Sequence, residues 1–220
     1  MNKTIKIAPS MLSADFLHLE KDVEMVNGHA DIFHLDIMDG TFVPNISYGF
    51  PIVEAIAKKA NKTLDAHLMI VHPEKYVERF AKAGVDMLSV HLETLDEPEA
   101  VLELIRTNGM KAGLVINPDI PVNRLFPYLE KCDFVVLMSV FAGFGGQKFI
   151  EESYDRIRML KKEIERQGLD IPIEVDGGVG VGNAAGIIEA GADILVAGSA
   201  VFKAENPEAV IAQMRQAVKQ

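Results

Sequence analysis

Short apolar runs rich in Ile, Leu and Val alternate along the chain with longer segments whose apolar residues recur at helical spacing. The first run, Ile5-Lys6-Ile7-Ala8-Pro9-Ser10, precedes Ser13-Ala14-Asp15 and a helical pattern through Val26 that Asn27-Gly28 closes. The second run, Ile32 to Met38, enters a turn-rich loop from Gly40 to Ser47, and a helical segment from Gly49 to Ala60 follows. The same alternation predicts strands over Leu64 to Ile70, Met87 to Leu92, Ala112 to Ile116, Phe134 to Val140, Ile173 to Val175 and Ile194 to Ala197. Helices are predicted after them over Pro73 to Gly84, Pro98 to Asn108, Val122 to Lys131, Ser153 to Gln167, Asn183 to Ala190 and Pro207 to Val218. Strands alternating with helices imply a parallel sheet, and eight such units without a linker imply a closed (β/α)8 TIM barrel, one domain over residues 1–220. Chemistry in such a barrel belongs at the C-terminal strand ends.

That rule directs attention to polar residues where apolar ones are expected. In Ile32-Phe33-His34-Leu35-Asp36-Ile37-Met38, alternate residues share a face, so His34, Asp36 and Met38 point the same way. A carboxylate on a buried strand is costly unless paired or bound to a cation. The third strand offers His67 on one face with Asp65 and Met69, and the seventh ends at Asp176. His34, Asp36, His67 and Asp176 can therefore converge inside the barrel mouth. Mixed imidazole and carboxylate donors suit one divalent ion, Zn2+, Mn2+, Fe2+ or Co2+, and the donor types do not choose among them. Met38, Met69 and Met138 occupy similar heights, where thioethers exclude water without donating protons, although methionine is also a common core filler.

Glycine supplies the second constellation. Gly143-Phe144-Gly145-Gly146-Gln147 follows the sixth strand, Gly177-Gly178 the seventh, and Gly198-Ser199 the eighth. Backbone N–H groups in such loops approach an oxyanion closely, and phosphate sites of these barrels often lie after strands seven and eight.

Composition narrows the partners. The chain is 49% hydrophobic and 25% charged, enough for a substantial core, and its net charge of −10 argues against nucleic-acid or anionic-lipid surfaces. One cysteine, Cys132, excludes an internal disulfide, fits a reducing compartment, and at the far end of the barrel is a poor nucleophile. No apolar run of membrane-spanning length occurs, so a cytoplasmic location is expected. Lysines in strands lie only near the starts, at Lys6 and Lys111, which disfavours a Schiff-base aldolase. His91 stands by itself on its strand and reads as structural.

These residues resemble the ribulose-phosphate 3-epimerase family. The resemblance is carried by Ala8-Pro9-Ser10-Met11-Leu12, His34-Leu35-Asp36-Ile37-Met38-Asp39-Gly40, Phe42-Val43-Pro44-Asn45, His67-Leu68-Met69, Met138-Ser139-Val140, Gly143 to Gln147, Glu174 to Gly178 and Gly198 to Phe202. It implies a metal held by His34, Asp36, His67 and Asp176, with the two aspartates moving protons through a metal-stabilised enediolate. Ser10 would touch the substrate, a small phosphorylated ketose. Met38, Met69 and Met138 would surround the intermediate, and Gly146, Gly178, Gly198 and Ser199 would hold phosphate. The implied reaction interconverts D-ribulose 5-phosphate and D-xylulose 5-phosphate, in an enzyme expected to be a homo-oligomer.

One departure stands out: the family usually has Asn-Pro after Met-Ser-Val, whereas this chain has Phe141-Ala142. Loss of the proline is expected to free the loop, and Phe141 keeps a hexulose phosphate such as D-allulose 6-phosphate as an alternative substrate. The decarboxylases and synthases that share such barrels carry Asp-x-Lys-x-x-Asp, but Met38 stands where their lysine would be. A non-catalytic sugar-phosphate binder would have no need of both aspartates and both histidines.

Overall fold

Each predicted strand pairs in parallel with its neighbours. The computed structural model describes residues 4–217, and in it β1 (Lys6–Pro9), β2 (Ile32–Met38), β3 (Thr63–Met69), β4 (Met87–His91), β5 (Lys111–Ile116), β6 (Phe134–Met138), β7 (Ile173–Asp176) and β8 (Ile194–Ala197) form one sheet. Its order is β1-β8-β7-β6-β5-β4-β3-β2. The ring closes between β2 and β1, where Ser10 bridges His34 and Asp31 N donates to Ile7 O at 3.1 Å. This is the expected TIM barrel.

Outside the sheet run α1 (Leu19–His29), α2 (Phe50–Ala57), α3 (Val77–Lys82), α4 (Pro98–Thr107), α5 (Ser153–Arg166), α6 (Val181–Ala190), α7 (Ser199–Phe202) and α8 (Pro207–Gln216). Val122 to Lys131 departs from expectation: it folds as two 3-10 turns, Val122–Arg124 and Phe126–Lys131. Pro127 has no N–H to donate and disfavours helical backbone at Phe126, so an α-helix cannot run through. Asn27-Gly28 does not end α1 either, because the Asn27 side chain is committed outward to Lys59 O and Asn61 N, at 2.9 and 2.8 Å. The expected end of the last helix at Val218 lies outside the described residues. Among those residues no helix is long and apolar enough to cross a membrane.

A repeated device fixes the bottom of the barrel. Asp31, Asp86, Asp133 and Asp193 each precede an even-numbered strand, and each carboxylate accepts the backbone N–H of the preceding odd strand, at Ile7, Leu64, Ala112 and Ile173, at 2.8 to 2.9 Å. The aspartate N–H groups return bonds to the carbonyls of the same four residues. Register at the base is thereby set, and with it the height of every side chain at the top.

Alternation along the strands separates two environments. Outward residues such as Phe33, Leu35, Leu68, Leu114 and Val175 pack under the helices in the main apolar core. Inward residues split. Ala8, Ile32, Met87, Val115, Phe134, Val136, Ile194 and Val196 form an apolar plug, with the Phe134 ring filling the space left by Gly113, where an added Cβ would sit 2.5 Å from it. Inward positions of β2, β3, β4 and β7 are instead polar: His34, Asp36, Asp65, His67, Ser89, His91 and Glu174 are all buried. Buried polar groups need partners. Their pairing builds the site.

Candidate active site

Register does the first part of the assembly. Asp36 pairs in the ladder with His67, Met38 with Met69, and Met138 with Asp176. His34 Nε2 lies 3.4 Å from Asp36 Oδ1 and 3.7 Å from Asp176 Oδ2, and His67 Nδ1 lies 3.4 and 3.5 Å from the same two oxygens. Donor atoms from all four residues lie within 4.8 Å of one another. Both imidazoles are fully buried, while Asp36 and Asp176 form the floor of a cleft.

The outer edges of the imidazoles are held by other residues. His34 Nδ1 donates to Asp65 Oδ2 at 2.7 Å, and Glu174 Oε1 lies 3.0 Å from the same nitrogen without forming a proper hydrogen bond. His67 Nε2 lies 2.9 Å from His91 Nε2. His34 Nε2 and His67 Nδ1 are buried with no hydrogen-bond partner, and they face the two carboxylates. Two imidazole nitrogens and two carboxylate oxygens around one point are the donor set of a divalent cation, so these residues fit a metal once the imidazoles give up their protons.

Electrostatics agree. Burial alone would lower both histidines. Asp36 and Asp65 nevertheless hold His34 well above its usual range, and Asp176 and Asp36 lift His67 to about 9. Burial would raise both aspartates, yet His34 and His67 hold Asp36 well below the usual carboxylate range and Asp176 below it too. Positive charge is in demand between the two aspartates. Beneath them, burial and the Asp65 charge push Glu174 up to about 8, so it keeps its proton at neutral pH.

Every other residue expected at the site lines the same cleft: Ser10, Met38, Met69, Met138, Gly143, Phe144, Gly145, Gly146, Gly177, Gly178, Gly198 and Ser199. The Ser10 hydroxyl donates to Asp36 Oδ2 at 2.5 Å. Met38, Met69 and Met138 are nearly fully buried around the aspartates. Gly178 has φ of +63°, and a Cβ there would collide with the backbone of Phe149, so only glycine lets this loop turn beside the cleft.

Two expectations change. His91 is not alone, for its ring meets His67. Phe141-Ala142 does not free the loop, because Ala142 N, a donor that proline lacks, gives a hydrogen bond to Asn117 Oδ1 at 3.0 Å, and Gln147 Nε2 ties Phe141 O and Phe144 O from within.

Reading the sequence alone also missed several residues. Ser139 Oγ lies 2.9 and 2.6 Å from the carbonyls of Asp176 and Gly177, sharing its one proton between them, and so holds the end of β7. Ser13 lines the cleft against Gly198. Glu174 was detectable, lying two residues before Asp176 and so on the same face. Cys132 is remote from the cleft, buried, and its thiol is pushed by burial to about 12, as a poor nucleophile should be.

The model of the ribulose-phosphate 3-epimerase family matches residues 6–202. The chain belongs to this family. It is an epimerase, an enzyme of the isomerase class. Ribulose-phosphate 3-epimerase of Synechocystis sp. is 51% identical over 218 residues, covering 98% of this chain and 95% of the relative. The Bacillus subtilis enzyme of that name is 46% identical, covering 96% and 98%, and that of Escherichia coli K12 is 41% identical, covering 97% and 96%. Among solved structures, a mutant tryptophan synthase alpha-subunit from Pyrococcus furiosus superposes with a TM-score of 0.71 at 17% identity, covering 100% of this chain and 98% of that one. Orotidine 5'-phosphate decarboxylase from Pyrococcus horikoshii gives 0.69 at 16%, covering 97% and 99%. At those identities the likeness is one of fold alone.

Proposed function

We propose that this epimerase interconverts D-ribulose 5-phosphate and D-xylulose 5-phosphate by moving the proton at C3. The convergence of Asp36 and Asp176, from strands separated by β1 and β8, at one floor beneath a glycine-lined cleft carries the reading. One carboxylate removes the C3 proton, and the other, protonated, delivers a proton to the opposite face; the roles exchange in the reverse direction. The Ser10 hydroxyl orients Asp36. Met38, Met69 and Met138 keep water from the carbanionic intermediate. Backbone N–H groups at Gly146, Gly178, Gly198 and Ser199 receive the phosphate.

A divalent ion held by His34, Asp36, His67 and Asp176, Zn2+ in the first instance, supplies positive charge against the negative charge developing on the substrate oxygens. Steady-state turnover of D-ribulose 5-phosphate against D-allulose 6-phosphate tests the substrate. Preference for the pentulose is expected, and a strong preference for the hexulose contradicts it.

A homo-oligomer is part of the same reading. Phe16, Leu17, Ile46 and Tyr76 are exposed, Phe16 packs on Tyr48, and Ile46, Tyr48 and Tyr76 line one surface hollow. An apolar patch of this kind suits a second copy of the chain. Light scattering above the monomer mass of 24.1 kDa is expected; the monomer mass at micromolar concentration contradicts it.

A further inference from the structure

His67 reaches the four-residue cluster with Nδ1, and its Nε2 points the opposite way, to Nε2 of His91 at 2.9 Å. The ring centroids are 5.0 Å apart and the planes differ by only 24°, so the two imidazoles meet end-on. Both are fully buried, and the Phe42 ring, 4.7 Å from that of His91, closes the remaining side. Two bare lone pairs, or two N–H bonds, would repel at this separation. One nitrogen donates and the other accepts.

The choice is made at the far edge of His91. There Nδ1, buried and without a formed hydrogen bond, has Glu93 Oε1 as its facing acceptor at 3.5 Å. That oxygen is held in place by Asn117, whose backbone N and side-chain Nδ2 donate to it at 3.0 and 2.9 Å. A carboxylate oxygen favours an N–H, not a lone pair, on the nitrogen facing it. His91 then carries its proton on Nδ1 and presents a bare Nε2. His67 donates from Nε2, which leaves Nδ1 as the nitrogen that gives up its proton to a cation between Asp36 and Asp176.

We propose that His91 and Glu93 are positioning residues that select the His67 tautomer able to bind a divalent cation through Nδ1. The proposal rests on the cation reading of His34, Asp36, His67 and Asp176. It assigns work to two residues that touch neither the cation position nor the floor of the cleft. Asn117 carries the same chain of contacts outward to the loop after β6, through Ala142 N.

The test is Zn2+ affinity measured without substrate, by competition with a chromophoric chelator. His91→Phe keeps ring bulk but offers no acceptor, and affinity is expected to fall about 10- to 100-fold, the range seen when outer partners of ligating histidines are removed. Glu93→Ala, at a partly exposed position that folding tolerates better, is expected to move the same way. Glu93→Gln retains the acceptor oxygen and is expected to recover most of the loss, a rescue that a purely structural role would not produce. Circular dichroism confirms the fold of each variant. Unchanged affinity in Glu93→Ala, or no rescue by Glu93→Gln, overturns the proposal. A wild-type protein that fails to bind Zn2+ overturns the cation reading itself, which keeps the two failures apart.

Discussion

Asp36 and Asp176 come from strands separated by two others, yet both lie 3.4 to 3.7 Å from the same two imidazole nitrogens, Nε2 of His34 and Nδ1 of His67. The relationship follows from register: Asp36 is level with His67 across β2 and β3, and β7 ends at the height where Asp176 faces them. Two carboxylates in one buried site repel unless positive charge separates them. Held there, they suit proton transfer at a carbon between them.

Asp176→Asn keeps the shape and removes a proposed proton-transfer group. Turnover is expected to fall by about 10²- to 10⁴-fold, the usual contribution of a positioned proton-transfer group, with the circular dichroism spectrum unchanged. Asp36→Asn should behave alike, and leaves the Ser10 hydroxyl a neutral amide acceptor in place of a charged one. Substantial activity in either variant removes that residue from the proton-transfer role.

Metal affinity should depend on pH with a defined sign. His67 is held up to about 9 without a cation, and an imidazole must lose its proton to become a ligand. Below that value each bound ion displaces a proton, so affinity for Zn2+ rises with pH between 6 and 9, by up to roughly tenfold per unit for each proton displaced. Chelator competition at several pH values reads this directly. A flat profile would contradict the displacement of a proton from His67.

Asp86 illustrates the clamps at the barrel base, far from the chemistry. Asp86→Ala leaves the Leu64 N–H without its carboxylate and is expected to lower stability by about 1–3 kcal/mol. Urea denaturation measures the loss, and kcat should stay at the wild-type value. A fall in kcat without loss of stability would contradict the separation of base and site.

Ala142 tests the loop. Ala142→Pro deletes the N–H that donates to Asn117 Oδ1. With this tether removed, KM for the sugar phosphate is expected to rise while kcat changes less, because the loop borders the cleft and holds neither aspartate. A selective loss of kcat would place the tether in the chemical step.

Much of this site is legible in the chain itself. A strand repeats every two residues, so His34 with Asp36, and His67 with Met69, declare a shared face, and Asp176 at the end of an apolar run marks the seventh strand as the other contributor. The barrel is legible from Ile, Leu and Val runs that alternate with helical patterns. What stays hidden depends on distance in sequence. His91 meets His67 through side chains that cross from β3 to β4, where the ladder itself pairs His67 with Ser89, and nothing local marks that reach. Ser139 acts through the carbonyls of another strand. Val122 to Lys131 shows the opposite fault: its apolar pattern is helical, but the backbone chemistry of Pro127 outweighs the pattern.

The proposed reaction turns on proton exchange at one carbon. Wild-type protein loaded with Zn2+ and incubated with D-ribulose 5-phosphate in deuterium oxide should place solvent deuterium at C3 of substrate and product, read by proton NMR. Asp36→Asn and Asp176→Asn should suppress that incorporation. Epimerisation with C3 hydrogen fully retained, or no exchange at all by the metal-loaded protein, would contradict a two-aspartate proton transfer.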